Sequence, residues 1–311
     1  MRTFALPGTS LTASNVIAGM MRIQDMTPEA VRAMTKTALD AGINFFDHAD
    51  VYGRPLHACE AHWAQSVKLT PTQRQGLIIQ TKAGIVPSGP YFDFSKEHII
   101  EAAEGSLKAL ATDYIDILLL HRPDALVEPE EVAAAFNQLE AQGKVRYFGV
   151  SNHTPGQIEL LKTAVTQPLV VNQVQLSITH APLVAHGVAA NMQDLAQSVS
   201  RDVGLLDYCR LHHITLQAWS PFQHGFFDGS FLGDRERCPE LNDVIDGLAA
   251  KYQVPAIAIA TAWITRHPAQ MQVVLGTTNT ERIAGAAQGS DLPLTRAEWY
   301  ALYRAAGYLV P

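Results

Sequence analysis

The sequence predicts an α/β fold closed as a (β/α)8 barrel of the TIM type, with long βα loops at its C-terminal rim. Three observations point there: eight short apolar runs rich in β-branched residues, helical patterns between them, and 311 residues with no internal linker. The runs are Val16–Met20, Asn44–Ala49, Leu77–Lys82, Ile115–His121, Val145–Ser151, Leu169–Gln175, Ile214–Ser220 and Gln272–Gly276. Several are continuously apolar rather than alternating, as parallel strands buried on both faces require. Eight runs at roughly 25–55-residue spacing suit a closed barrel, whose usual length is ~250 residues. Residues 1–311 therefore read as one barrel domain.

The helices carry their own start and stop signals. Thr27-Pro28 sets an N-cap before a proline at the first helical position. Thr154-Pro155-Gly156-Gln157 does the same and adds a capping box. Ser95 precedes Ile99, Ile100, Ala103, Leu107 and Leu110 at helical spacing. Gly42 and Gly143 stand where helices should end before the second and fifth strands.

Two connections are long for such a fold, Ser177 to Gly204 and Pro221 to about Pro239. Both follow strands and so fall on the C-terminal rim, where βα loops build active sites. The second holds Phe222, Gly225, Phe226, Phe227, Gly229, Phe231 and Gly233. That mixture suits a mobile flap with an apolar inner face, and equally a surface excursion pinned by a few aromatics.

A hydrophobic content of 47% and a charged content of 17% belong to a globular chain with a sizeable core. The net charge of −7, with Lys and Arg scattered, argues against nucleic acid or anionic membrane and for a small-molecule partner. Cys59, Cys209 and Cys238 are odd in number and widely spaced, which fits a reducing compartment rather than a disulfide framework or zinc ribbon. No stretch approaches membrane-spanning length and the start lacks a long apolar signal core, so the expected location is cytoplasmic. Nothing in the sequence signals an oligomeric state.

Polar residues that end apolar strands are the candidates for chemistry. Asp47 follows Phe45-Phe46, Lys82 follows Leu77-Ile78-Ile79-Gln80-Thr81, and His121 follows Ile117-Leu118-Leu119-Leu120. Tyr52 lies five residues beyond Asp47, in the loop after that strand. On a barrel all four meet at one rim. A lysine there is costly to bury without a carboxylate, and Asp47 is the nearest candidate. The Lys82 ammonium would favour tyrosinate at Tyr52, whose reference pKa is about 10, and so tune it as a proton donor to a carbonyl oxygen. His121 could hydrogen-bond the same oxygen. Taken singly, Asp47–Lys82 reads as a structural ion pair, His121 as a satisfied rim histidine and Tyr52 as a turn residue; their convergence favours catalysis.

Other chemistries fit less well. A Schiff-base lyase would also place a lysine at a strand end, but an adjacent Asp47 would keep the amine charged and unreactive. No His-x-His ends a strand and His212-His213 falls in a helix or loop, so no metal is expected. No G-x-G-x-x-G links a strand to a helix, which disfavours a Rossmann domain.

The segment Gly42-Ile43-Asn44-Phe45-Phe46-Asp47-His48-Ala49-Asp50-Val51-Tyr52-Gly53 resembles the second-strand region of the aldo-keto reductases. Leu107 to Pro123, containing Leu-Leu-Leu-His121-Arg-Pro, and Gly143 to Asn152 are similar to further segments of that family. The resemblance runs from Gly19 to Arg282 in family order, and its details resemble bacterial members of poorly defined substrate range. It implies an NAD(P)H-dependent reduction of an aldehyde or ketone, or the reverse oxidation, with Asp47, Tyr52, Lys82 and His121 as the catalytic set. It further implies that Ser151, Asn152 and Gln173 bind the nicotinamide carboxamide and that Trp219 stacks on the ring. Ser220, Pro221 and Phe222 would begin a loop over the pyrophosphate. Gly276, Thr277, Thr278, Asn279 and Arg282 match the segment that holds an adenosine 2′-phosphate. Asn279 is uncharged where many relatives carry Lys or Arg, and Gly285-Ala286 replaces a frequent Glu-Asn. Arg282 can still pair with a phosphate, so NADP(H) is preferred and NAD(H) stays possible. The family also includes channel-associated barrels, so a cofactor-binding regulatory module is the alternative. Tyr91, Phe92, Phe94, His153 and the Phe222–Phe231 loop, Phe226 included, are the expected substrate walls, suited to an apolar or aromatic carbonyl compound.

Overall fold

The computed structural model describes residues 1–192 and 195–311, and each of the eight predicted strands is present within two residues at either end. They are β1 (Val16–Gly19), β2 (Phe45–Asp47), β3 (Ile78–Ala83), β4 (Ile115–Leu120), β5 (Val145–Ser151), β6 (Leu169–Gln175), β7 (Thr215–Trp219) and β8 (Gln272–Leu275). Each pairs in parallel with the next, and β8 returns to β1 through Val273–Val16 and Leu275–Ala18, closing the barrel. Between strands the chain returns through helices, as parallel pairing demands.

The predicted caps form. Thr27 and Ser95 each accept a hydrogen bond from the backbone N–H three residues on, and Thr154 with Gln157 makes the reciprocal capping box. Such caps contribute ~1 kcal/mol each. Gly42 and Gly143 lie just past helix ends with φ of +82° and +68°, a conformation that penalises any Cβ.

The barrel interior is tiered. At its N-terminal end, Ile17, Phe45, Ile78, Ile117 and Val171 pack with Leu6 and Ala13 of a small antiparallel hairpin, Thr3–Ala5 with Thr12–Ser14. Burial of each large side chain in this layer contributes ~1.5–3 kcal/mol. Above it Gln80 of β3 hydrogen-bonds Gln217 of β7. Those strands are not neighbours, so the contact crosses the interior. By the two-residue period, Lys82 shares that inward face one step higher. Outward-facing Ala18, Phe46, Ile79, Leu118 and Val150 join a second, larger core with the helical residues Val31, Met34, Ile99, Phe136 and Ile259. The C-terminal end of the barrel is thus the only tier left for polar chemistry among the described residues.

Both long rim connections are built more definitely than the sequence suggested. The described part of Ser177–Gly204, outside which residues 193 and 194 lie, contains a helix, Pro182–Val188, and a 3-10 turn, Ala196–Ser198. The loop after Pro221 is pinned in its second half: Asn242 donates to Phe231 O (2.9 Å) and Asp234 O (3.1 Å), and His224 meets Asp234 at 3.0 Å. Its apolar inner face is carried by fully buried Phe231, whereas Phe226 and Phe227 are 63% and 59% exposed. It is the pinned excursion in one half and an open aromatic edge in the other.

Candidate active site

The four catalytic candidates do converge. Lys82 lies fully buried at the end of β3, and its Nζ donates to Asp47 Oδ2 (2.7 Å), His48 O (2.8 Å) and Tyr52 OH (3.0 Å). An ammonium has three protons to donate, and all three find acceptors, which is what makes its burial tolerable. Burial pulls its pKa down, but Asp47 and then Tyr52 outweigh that and hold it above the ordinary lysine range. The group is charged at neutral pH.

Tyr52 departs from expectation. Burial pushes its phenol above the usual range, and the opposing charge of Lys82 recovers only part of that shift. The lysine therefore limits the rise instead of producing a net fall. The consequence is a phenol that keeps its proton at neutral pH beside a cation that would stabilise the phenolate once the proton leaves. His121 meets Tyr52 edge to face at 5.9 Å. Burial, then the charges of Lys82 and Arg122, hold its imidazole well below the ordinary value, so the ring is neutral. No described residue partners its buried Nδ1.

Beneath this set lies a tier of four amides, of which the sequence reading named only Gln173, and that one for the cofactor. Asp47 Oδ1 accepts from Gln80 Nε2 (2.6 Å) and Gln173 Nε2 (3.0 Å). Gln80 and Gln173 both donate to Gln217 Oε1, at 2.8 and 3.0 Å, and Gln217 donates on to Gln272 Oε1 (3.0 Å). Gln272 ends the chain on Ser14 O at 2.7 Å. All four glutamines are buried. For Gln80 and Gln217 the available signal was inward parity with Lys82 and Trp219, each a glutamine two residues earlier in an otherwise apolar strand.

Behind the Tyr52 loop a second buried group forms. Glu60 accepts from Thr81 Oγ1 (2.6 Å), beside Lys82, and pairs with His57 Nδ1 (2.6 Å). Burial alone would raise the Glu60 carboxyl, but the bonds from His57 and Thr81 outweigh it and hold it low. Asp50 has no such donors; burial, with the Glu60 charge added, pushes it up to about 7. His48 is pulled down to about 4 by burial.

The candidate groups face a cavity of about 670 Å³. It is lined by Asp47, Tyr52 and His121, and by every predicted cofactor residue: Ser151, Asn152, Gln173, Trp219, Ser220, Pro221, Phe222, Gly276, Thr277, Thr278, Asn279 and Arg282. Phe226 lines it too, but Tyr91, Phe92 and His153 do not. Tyr91 and Phe92 sit on a small hairpin with Ile85–Val86 and are 53% and 41% exposed. His153 is buried behind the wall, stacked on Phe94 at 6.1 Å. Phe94 in turn packs on Gly84, where φ is +107° and a Cβ would lie 2.3 Å from the ring. His153 backs the lining residue Ser151, its Nδ1 meeting Ser151 O at 2.9 Å, a distinction that residue type alone does not carry. Among the lining residues that the sequence reading did not name are Met21, Arg22 and Arg122.

Barrel, buried Asp–Lys–Tyr contact and rim cavity together define an enzyme-like site of one class, and the comparisons agree. The family model described as "Aldo/keto reductase family" matches residues 15–306. The chain belongs to that family and is an oxidoreductase of its type. It is 33% identical over 308 residues to Oxidoreductase YdhF of Escherichia coli (strain K12), covering 96% of this chain and 95% of that one. It is 34% identical over 305 residues to a 6-dehydroglucose reductase of Agrobacterium fabrum (strain C58), covering 94% of each. Among solved structures, the thermostable aldo-keto reductase Tm1743, crystallised with the inhibitor epalrestat, superimposes with a TM-score of 0.77. That alignment covers 98% of this chain and all of the other at 22% identity, a likeness of fold.

Proposed function

We propose that the protein reduces an aldehyde or ketone with a nicotinamide cofactor, NADP(H) in preference to NAD(H), using Tyr52 as the proton donor. The observation that carries this reading is the single ammonium of Lys82 bonded to both Asp47 and Tyr52 at the base of the cavity.

The donor set suits such a cofactor. Gln173 gives its amide hydrogens to Asp47 and Gln217, and no described residue donates to its Oε1, leaving an acceptor for a carboxamide. Trp219 offers an indole face, oriented by its Nε1 donating to Asn152 Oδ1 at 2.9 Å. At the far end stands the N-terminus of a helix, Thr280–Gln288, whose exposed amides favour phosphate. Asn279 is engaged as that helix's cap, accepting from Arg282 N at 2.9 Å, so the side chain left to read a 2′-phosphate is Arg282. Gly285 packs against Pro255 and Ile257, and a Cβ there would lie 3.0 Å from each, which accounts for the missing Glu.

A bound nicotinamide supplies the hydride. Tyr52 holds the proton that the carbonyl oxygen gains, and its raised pKa keeps that proton in place until the oxygen becomes basic. Lys82 stabilises the phenolate left behind, Asp47 anchors Lys82, and neutral His121 can donate to the same oxygen without competing as an acid. The Schiff-base reading is disfavoured because Lys82 is held protonated with all three hydrogens engaged. The test is NADPH and NADH oxidation against a panel of aldehydes and ketones that includes an aldehyde-bearing sugar. Carbonyl-dependent oxidation, faster with NADPH, is expected. Cofactor binding without oxidation across the panel would instead favour a regulatory barrel.

A further inference from the structure

The cavity is cationic in an acidic protein. Three guanidiniums line it, from Arg22, Arg122 and Arg282, against one carboxylate, Asp47, which Lys82 already neutralises at 2.7 Å. The whole chain carries −7. Such a contrast concentrates anions at the cleft. A dinucleotide phosphate accounts for the exposed arginines at the mouth, but not for Arg122.

Arg122 follows His121 directly and is half-buried at the reacting end. Its charge bears on both His121 and the Tyr52 phenol. Among the described residues it has no carboxylate partner and no hydrogen bond; its guanidinium carbon lies 5.7 Å from the centroid of the Trp219 ring. The nearest acid in sequence, Asp124, is engaged elsewhere, its oxygens accepting from Phe94 N (3.0 Å) and Leu126 N (2.8 Å). Pro123 restricts the backbone of Arg122, so the side chain leaves from a fixed point. A half-buried guanidinium without an acid is unfavourable for the empty protein and calls for an anion from outside. The nicotinamide end of a cofactor is neutral when reduced and cationic when oxidised, so it cannot be that anion.

We infer that Arg122 is a specificity-determining residue that binds an anionic group, carboxylate or phosphate, on the carbonyl substrate. This rests on the carbonyl-reductase reading above and replaces the apolar or aromatic substrate that the sequence suggested. Arg122 orients the substrate by a forked contact with the oxyanion while Tyr52 and His121 take the carbonyl oxygen.

The test compares three pairs that differ in charge: 4-oxobutanoate with its methyl ester, 4-carboxybenzaldehyde with its methyl ester, and glyceraldehyde 3-phosphate with glyceraldehyde. In the wild type, kcat/KM should favour the anionic member of at least one pair by on the order of 10- to 100-fold. Arg122→Gln should remove that preference, chiefly through KM, and Arg122→Glu should invert it. A general folding defect would lower both members alike and leave the ratio in place. The carboxylate and phosphate pairs report separately which oxyanion is preferred. Neutral members turned over as well as anionic ones, or a preference that survives Arg122→Gln, would overturn this inference while leaving the function standing. No turnover of any of the six compounds with either cofactor would overturn both.

Discussion

The two sides of the cavity are built on opposite plans. On the β2–β4 side, Asp47 and Lys82 are buried and Tyr52 half-buried, and the three are bonded to one another and to the glutamine tier, with Glu60 held beside them through Thr81. On the side beyond β7 and β8, Phe226, Phe227, Asn279 and Arg282 are exposed, and Arg282 offers an unpartnered side chain among the described residues. The first side has its geometry determined by the protein alone; the second becomes complete only with a ligand. Chemistry that must move one proton along a fixed line needs the former. Selection among ligands is left to the latter.

That contrast can be broken by substitution. Lys82→Met should have the largest effect, because it strands the Asp47 carboxylate and the Tyr52 hydroxyl together. A stability loss of ~3–5 kcal/mol is expected in denaturant unfolding, with carbonyl reduction lost as well. Gln80→Leu should come next. It removes one of the two amides on Asp47 Oδ1 and a donor to Gln217, costing ~1–3 kcal/mol, and kcat should fall by more than KM rises. If Gln80→Leu left kcat unchanged, the amide tier would be packing alone. On the open side, Arg282→Ala should leave thermal stability unaltered and weaken NADPH about 10-fold while NADH changes little, measured by fluorescence titration. Equal weakening of both would remove Arg282 from the 2′-phosphate.

The smallest effect concerns Asp50. Its folded pKa is raised to about 7, so between its unfolded value and 7 the folded state holds the extra proton. Stability then falls as pH rises through that window. The buried histidines His48, His153 and His267, each held down to about 4, act oppositely, losing stability as pH falls below their unfolded value. The comparison of wild type with Asp50→Asn isolates the carboxyl. The variant's gain in melting temperature should grow from pH 5 to pH 8, and a constant difference would show that Asp50 does not titrate in that range.

The same contrast explains what could be read from the sequence. Strands, caps and the four catalytic candidates were readable because burial imposes pattern: apolar runs, an N-cap before proline, a polar residue where an apolar one belongs. Gln80, Gln217 and Gln272 left that mark too, yet they also pass as ordinary polar interruptions until β3 and β7 are known to face each other. The cofactor residues came through family resemblance, since loop residues such as Thr277 or Phe222 carry no periodicity. The substrate walls were readable only in part: Phe222 and Phe226 line the cavity, while Tyr91, Phe92 and His153 do not. His153 is set behind the wall by Phe94 and Gly84 packing, and Tyr91 and Phe92 are carried to the surface by a hairpin with Ile85–Val86, neither of which a local pattern encodes. Arg122 was hidden by being charged, and charged residues default to the surface.

The central claim is that Tyr52 supplies the proton on a site that otherwise assembles without it. Tyr52→Phe removes one hydroxyl and leaves Asp47 and Lys82 paired, so the most direct measurement is carbonyl reduction by that variant beside its NADPH fluorescence titration. The expected result is a loss of turnover of ~10²-fold or more with cofactor affinity retained. Turnover close to wild type would show that the proton comes from elsewhere.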